Sequence, residues 1–249
     1  MIYLIPIIFF VIAFVFSMLG MGGSQLYIPI LFWSGMDFKT QAIPLGMLLN
    51  VVNSSSASFI YAREKLIEWK TAIPFGICMV IFPPIGAWVN ISLPTKPLIL
   101  IFAIFTTFAA ILILSGWKPK KGILSTRKKT LLGIIGGSIL GFLAGLIGRG
   151  GGSFVVPLLY IAGLPPKLAA ATSAMIVTFS GGSSFISHII IAAKPNWSVW
   201  ISCVIAVILG SQIGSRFMAK RLKSGAIKLI FGIVLLGVAA VLIIKDVVL

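Results

Sequence analysis

Long uncharged apolar runs fill this chain, separated by short stretches rich in Gly, Pro, Lys and Arg. Runs such as IPIIFFVIAFVFSML (residues 5–19) and IFGIVLLGVAAVLII (230–244) have the length and composition of membrane-spanning helices. Polar and proline punctuation predicts full-length spans at roughly 2–19, 41–62, 71–91, 97–116, 131–147, 168–190, 198–215 and 225–244. Each is about 17–23 residues long, enough to cross a hydrocarbon core of ~30 Å. Two shorter apolar pieces, at about 24–35 and 152–163, directly follow the glycine-rich stretches of GMGGSQLYIPIL (20–31) and GRGGGSFVVPLL (148–159). The expected fold is an all-α polytopic membrane protein of about eight transmembrane helices plus two short broken-helix segments.

Those two glycine stretches belong to a wider pattern. Pro29 and Pro157 stand 128 positions apart, and so do Gly20 and Gly148, Gly35 and Gly163, Trp69 and Trp197, and Gly86 and Gly214. Agreement of Gly, Pro and Trp at one offset, without a gap, reads as an internal duplication. The predicted organisation is a first transmembrane repeat at 1–117, a basic cytoplasmic linker at 118–130 and a second repeat at 131–249. Many secondary transporters are built this way, with substrate held where the repeats meet. If each short piece returns across the membrane, 15 of the 20 Lys and Arg residues fall on one face; otherwise the division is nearly even. The positive-inside rule favours the first arrangement, with inverted halves. A helix of about 12 residues reaches only ~18 Å, which speaks against it. Both arrangements stay open at this level.

Composition sharpens the membrane reading: 59% of residues are hydrophobic, 10% are charged and the mean hydropathy is +1.15. Soluble domains run nearer 45–50% apolar and about 25% charged. A net charge of +16 would suggest nucleic acid in a soluble protein, but here the basic residues gather in short connecting loops. No nucleic-acid partner is expected; lipid is. Cys78 and Cys203 fall inside apolar stretches and make neither a disulfide framework nor a metal spacing, so no metal or other cofactor is expected. The N-terminus lacks a basic n-region and a small-residue cleavage site, and reads as the first span. HExxH, GxSxG and paired-Asp motifs are missing and His188 is the sole histidine, which argues against an enzyme.

Candidate chemistry sits at the glycines. A Gly–Gly run breaks a helix, and the backbone groups it frees are tolerated in a bilayer only where they line a cavity or are covered by protein. The helix that restarts points free N–H groups at the gap, with its dipole adding partial positive charge. Two such N-termini facing each other would cradle an anion without a charged side chain. The first break supplies Gly22, Gly23, Ser24 and Gln25, the last as a neutral donor; the second supplies Arg149, Gly150, Gly151, Gly152 and Ser153. Arg149 could donate a bidentate bond to an oxyanion or snorkel to the membrane surface. The following spans carry polar stripes, with Asn50 and Asn53 in the first repeat and Thr172, Ser173 and Thr178 in the second. Stripes of this kind also serve as interhelical glue, and glycines also serve close helix packing. His188, near a helix end, is expected to be structural or interfacial. All four acids, Asp37, Glu64, Glu68 and Asp246, lie outside the spans. A proton pump usually carries acidic relays in its spans, whereas an anion leaving a negative interior needs none.

The paired glycine–proline segments, each followed by a small-and-polar span, together with the basic central loop and the overall size, resemble the TauE/SafE family of sulfite exporters and organosulfonate permeases. The resemblance covers essentially the whole chain. It departs from the family pattern at Ser24, where a third glycine is usual, and at Arg149, where an apolar residue is usual. The resemblance implies transport of sulfite, an organosulfonate or a similar small sulfur-containing anion across the inner (cytoplasmic) membrane. An uptake permease for the same anions and a non-transporting membrane sensor remain alternatives, and homo-oligomerisation stays open.

Overall fold

The computed structural model of the chain describes residues 4–90, 107, 111, 114–115, 126–147, 152–190, 192–193 and 195–242. Among these, all regular structure is helical. The helices are α1 (Ile5–Leu19), α2 (Ser24–Trp33), α3 (Ile43–Arg63), α4 (Trp69–Asn90), α5 (Thr126–Ile147), α6 (Gly152–Ile161), α7 (Pro166–Ile189), α8 (Trp197–Lys220) and α9 (Ser224–Leu242). A single π-helical turn, Phe38–Ala42, leads directly into α3.

Four helical stretches among the described residues are long and apolar enough to cross a membrane: Phe38–Arg63, Trp69–Val89, Pro166–Ile189 and Trp197–Lys220. Shorter apolar helices lie at Ile5–Leu19, Thr130–Leu146 and Ser224–Val234. The span expected at 97–116 lies almost wholly outside the described residues. α5 begins at Thr126, inside the stretch expected to be linker, because no Gly or Pro interrupts the run from there to Leu132. α2 and α6 are 10 residues each, or about 15 Å of helix, half the thickness of a hydrocarbon core.

Burial runs inside out relative to a soluble bundle. Asn50, Asn53, Ser173, Ser180, Ser184 and Ser211 are wholly buried. Ile73, Ile77, Ile81 and Trp88 of α4 and Ile201, Ile205, Leu209 and Ile213 of α8 stand exposed at helical spacing. An apolar surface this extensive is one that lipid covers.

α1 packs along α8, α4 along α5, and α3 along α7, with α7 also against α4 and α3 against α8. Glycines bring the backbones together. A methyl group at Gly210 would fall 2.3 Å from the carbonyl oxygen of Phe10, and one at Gly145 would fall 1.9 Å from that of Pro83. α3 and α7 run in opposite directions. Gly181 lies against Asn50 and Val51, whereas Thr178, nearer the start of α7, meets Ser58, nearer the end of α3. The ends agree: Ala193, just beyond α7, donates its amide to the carbonyl of Thr40 ahead of α3 at 2.9 Å. At the opposite end Lys220 pairs with Glu64 at 4.0 Å, and Lys167 donates to the Ala219 carbonyl at 2.6 Å. That second end also carries Arg63, Lys65, Lys70, Arg221 and Lys223, so the described basic residues crowd one side of the bundle.

Candidate functional site

α1 stops at Leu19 because Gly20 turns left-handed at φ 69°, its amide bonded back to Ser17, while Met21 bonds back to Phe16. Gly22 (φ 82°) and Gly23 (φ 104°) hold the chain in the same region, which side-chain-bearing residues rarely enter. No residue with a Cβ fits at Gly20 either, since a methyl group there would lie 1.9 Å from the carbonyl oxygen of Ala170. α2 then restarts at Ser24 with Gly23 as its N-cap. Pro29 stands in this short helix and strips the Gln25 carbonyl of its helical donor.

Side chains from α3 and α7 clamp this break. The Ser24 amide donates to Asn50 Oδ1 at 3.2 Å, and Asn53 Nδ2 donates to the Gly22 carbonyl. From α7, Ser173 Oγ donates to the Gly20 carbonyl at 2.8 Å. The two asparagines therefore do for an interrupted helix what water does at a surface: they satisfy backbone groups that a bilayer interior would leave bare.

The start of α6 reaches the first break. A methyl group at Gly152, the first residue of α6, would fall 2.3 Å from the carbonyl oxygen of Met21. The N-termini of α2 and α6 thus meet through Met21. Arg149, Gly150 and Gly151 lie outside the described residues, as does the side chain of Ser153.

Gly22, Gly23, Ser24, Gln25, Asn50, Asn53, Gly152 and Ser173 are therefore brought together around one crossing of the backbone, and the described side chains among them are shut off from solvent. Thr178 lies one step away. Its hydroxyl donates to Ala174 at 2.9 Å and sits 3.4 Å from Ser58, joining α7 to α3. Thr172 is engaged elsewhere, its Oγ1 accepting the Glu68 amide at 3.0 Å at the foot of α4. His188 is buried at the far end of α7, where the Gly145 carbonyl of α5 accepts a bond from its ring.

Several polar atoms around the first break have no hydrogen-bond partner although they are buried: both amide atoms of Gln25, Nδ2 of Asn50, Oδ1 of Asn53 and the hydroxyl of Tyr27. A methyl group at Gly23 would lie 2.9 Å from that hydroxyl, so Tyr27 belongs to the break. Sequence reasoning passed over Tyr27 because it sits in an apolar stretch of a helix expected only to follow the glycines. Its signal was its place one turn after Gly23.

The family model for the sulfite exporter TauE/SafE matches residues 5–242. The chain is 27% identical over 252 residues to a probable membrane transporter protein, YunE, of Bacillus subtilis, covering 91% of this chain and 92% of that one. It is 29% identical over 241 residues to the probable membrane transporter protein MJ0441 of Methanocaldococcus jannaschii, covering 88% and 89%. A TauE/SafE family protein 1 of Arabidopsis thaliana, named as a sulfite exporter, is 29% identical over 121 residues, which is 47% of this chain and 27% of the plant protein. No solved structure gives a significant match. With residues 5–242 matched and a bundle of apolar helices, the chain belongs to the TauE/SafE sulfite exporter family of membrane transporters.

Proposed function

We propose that the chain is a secondary transporter that exports a small sulfur-containing anion, sulfite or an organosulfonate, across the cytoplasmic membrane. The anion is held between the two helix breaks, at Gly22–Gln25 and Arg149–Ser153. The observation that carries this reading is the approach of Gly152 to Met21, which sets two helix N-termini at one buried place. Each N-terminus contributes about half a positive charge through its helix dipole. Arg149 would add a full charge at the second break.

The chain is further proposed to consist of two inverted halves. Three features support this: the 128-position offset between the starts of α2 and α6 and of α4 and α8, the opposed directions of α3 and α7, and the matched pairing of α1 with α8 and α5 with α4. The basic end, with Arg63, Lys65, Lys167, Lys220 and Arg221, then faces the cytoplasm by the positive-inside rule.

Export follows from electrostatics. No acid occurs in any expected span, so the coupling is to the membrane potential rather than to a carboxylate relay. A potential of 100 mV supplies about 2.3 kcal/mol per charge, which favours outward movement of an anion from a negative interior. The test is radiolabelled sulfite flux in proteoliposomes under an imposed potential. Flux towards the positive side, lost on replacing Gly152 by Leu in protein that still inserts, supports the proposal. No movement of sulfite or of sulfonates in either direction sinks it, and potential-opposed accumulation turns it into an uptake permease.

A further inference from the structure

α3 and α8 run side by side in the same direction, and three contacts fix their register. Ser211 Oγ donates to the Asn53 carbonyl at 2.8 Å, Gln212 Nε2 donates to Ser56 Oγ at 2.8 Å, and Lys220 pairs with Glu64 at 4.0 Å. Arg216 stands between the last two, one turn past Gln212 and one turn before Lys220. It is exposed, and so is Arg63 across the seam, whose guanidinium lies 4.6 Å from the centre of the Phe59 ring. Two arginines therefore flank one seam at the basic end of the bundle. They head a face on which Phe59, Leu209 and Ile213 are exposed, with Phe217 beside Arg216. Among the described residues no carboxylate pairs with either arginine, and the acid that the register brings to this seam, Glu64, is taken by Lys220.

The fold does not require these charges. Trp88 of α4 stands 128 positions before Arg216, on the helix that packs along α5 as α8 packs along α1, and it is 74% exposed. An apolar residue serves there. The positive-inside rule is met by cations anywhere on the rim; it does not call for two guanidinium groups on one seam over an aromatic face. We propose that this seam binds an anionic phospholipid, with its phosphate held by Arg63 and Arg216 and its acyl chains laid along Phe59, Ile213 and Phe217. A guanidinium meets a phosphate through two parallel N–H···O bonds, and its long stem reaches the headgroup level from the last turns of a spanning helix. The preference for a net negative head comes from the surroundings. Lys65, Lys70, Arg221 and Lys223, all exposed at this end, add positive charge that a zwitterionic head leaves uncompensated.

The test is native mass spectrometry of the full-length protein released from micelles that hold equal amounts of phosphatidylglycerol and phosphatidylcholine. Phosphatidylglycerol should be retained about fivefold or more over phosphatidylcholine. Arg63→Gln combined with Arg216→Gln should bring that ratio near one. Lys128→Gln, at the start of α5 and off this seam, should leave it unchanged. Equal retention in the wild type, or an undiminished ratio in the double variant, overturns the proposal. An equal loss in Lys128→Gln assigns retention to the rim as a whole and overturns it too. Release of the phosphatidylglycerol by millimolar sulfite would give the seam to the substrate instead of a lipid. If the double variant does not fold, Arg216→Gln alone, a change at an exposed side chain, is read in the same way.

Discussion

Gly86 lies so close to Phe142 that a methyl group on it would fall 2.0 Å from the Phe142 carbonyl oxygen. Gly214 and Phe14, each 128 positions from one member of that pair, repeat the contact at 2.1 Å. In both places a long helix presses its backbone onto the helix that leads into a glycine break, so these contacts set where the break sits. Gly86→Ala and Gly214→Ala should each destabilise the bundle by overpacking, at about 1–3 kcal/mol. Thermal unfolding in detergent would read this as two losses of similar size. An unchanged Tm in either variant would mean that the helices can slide apart there, and would weaken the case for equivalent halves.

Each helix that ends before a glycine stretch has a carbonyl taken up by a side chain from the next long helix. Tyr61 donates its hydroxyl to the Ser17 carbonyl at 2.7 Å, and His188 bonds the Gly145 carbonyl, 128 positions on from Ser17. Tyr61→Phe leaves the ring in place and removes only the hydroxyl, so it should cost about 1–3 kcal/mol, the penalty for an unsatisfied buried acceptor. Circular dichroism melts would detect it. No loss would show that water replaces the hydroxyl in the closed bundle.

The apolar runs and the paired glycine–proline segments made the helical membrane character and the family legible in the sequence. Burying so much apolar surface has few solutions, and Gly–Gly inside an apolar run has few uses. What stayed hidden depends on how helices face one another. The hydroxyl of Thr172 was expected near the site because it shares a polar stripe with Ser173. One residue is 100° of helix, which turns it to the Glu68 amide instead. Spacing put Tyr27 one turn after Gly23, but the left-handed φ of 104° at Gly23 and the return of the hydroxyl towards it are read only from the fold. The opposed directions of α3 and α7 were favoured by the charge distribution but left open by the shortness of α2, and are read from the folded chain.

Outside the spans, Asp37 caps the π-turn before α3. Its carboxylate accepts from the Thr40 hydroxyl at 2.7 Å and the Thr40 amide at 2.8 Å, which hold the carboxyl below its ordinary value. A depressed folded value means that the cap stabilises above the unfolded value of about 3.9 and is lost as pH falls through the lower folded one. The Tm gap between wild type and Asp37→Ala should therefore be full at pH 6 and close below about pH 3.9. The carboxylate is fully exposed, so the gap should be small and should shrink with salt. A gap that persists undiminished in acid would assign the effect to the turn's backbone rather than to charge.

The most decisive substitution is at Asn50, because one side chain serves both stability and binding. Its Oδ1 caps the Ser24 amide, and its Nδ2 is free to meet an anion. Asn50→Asp retains the acceptor for Ser24 and replaces the donor with a second oxygen, so the cap survives while the anion meets a carboxylate. Ionised at neutral pH, the buried Asp should cost stability through its desolvation, and sulfite binding should fall by tenfold or more, about 1.4 kcal/mol. Asn50→Ala removes both atoms and should lower stability by about 0.5–2 kcal/mol through the lost cap alone. Calorimetry and melting on the same two preparations separate the roles. If Asn50→Asp binds sulfite as tightly as the wild type, the Nδ2 group touches no substrate, and Asn50 is a helix cap with a second hydrogen it does not use.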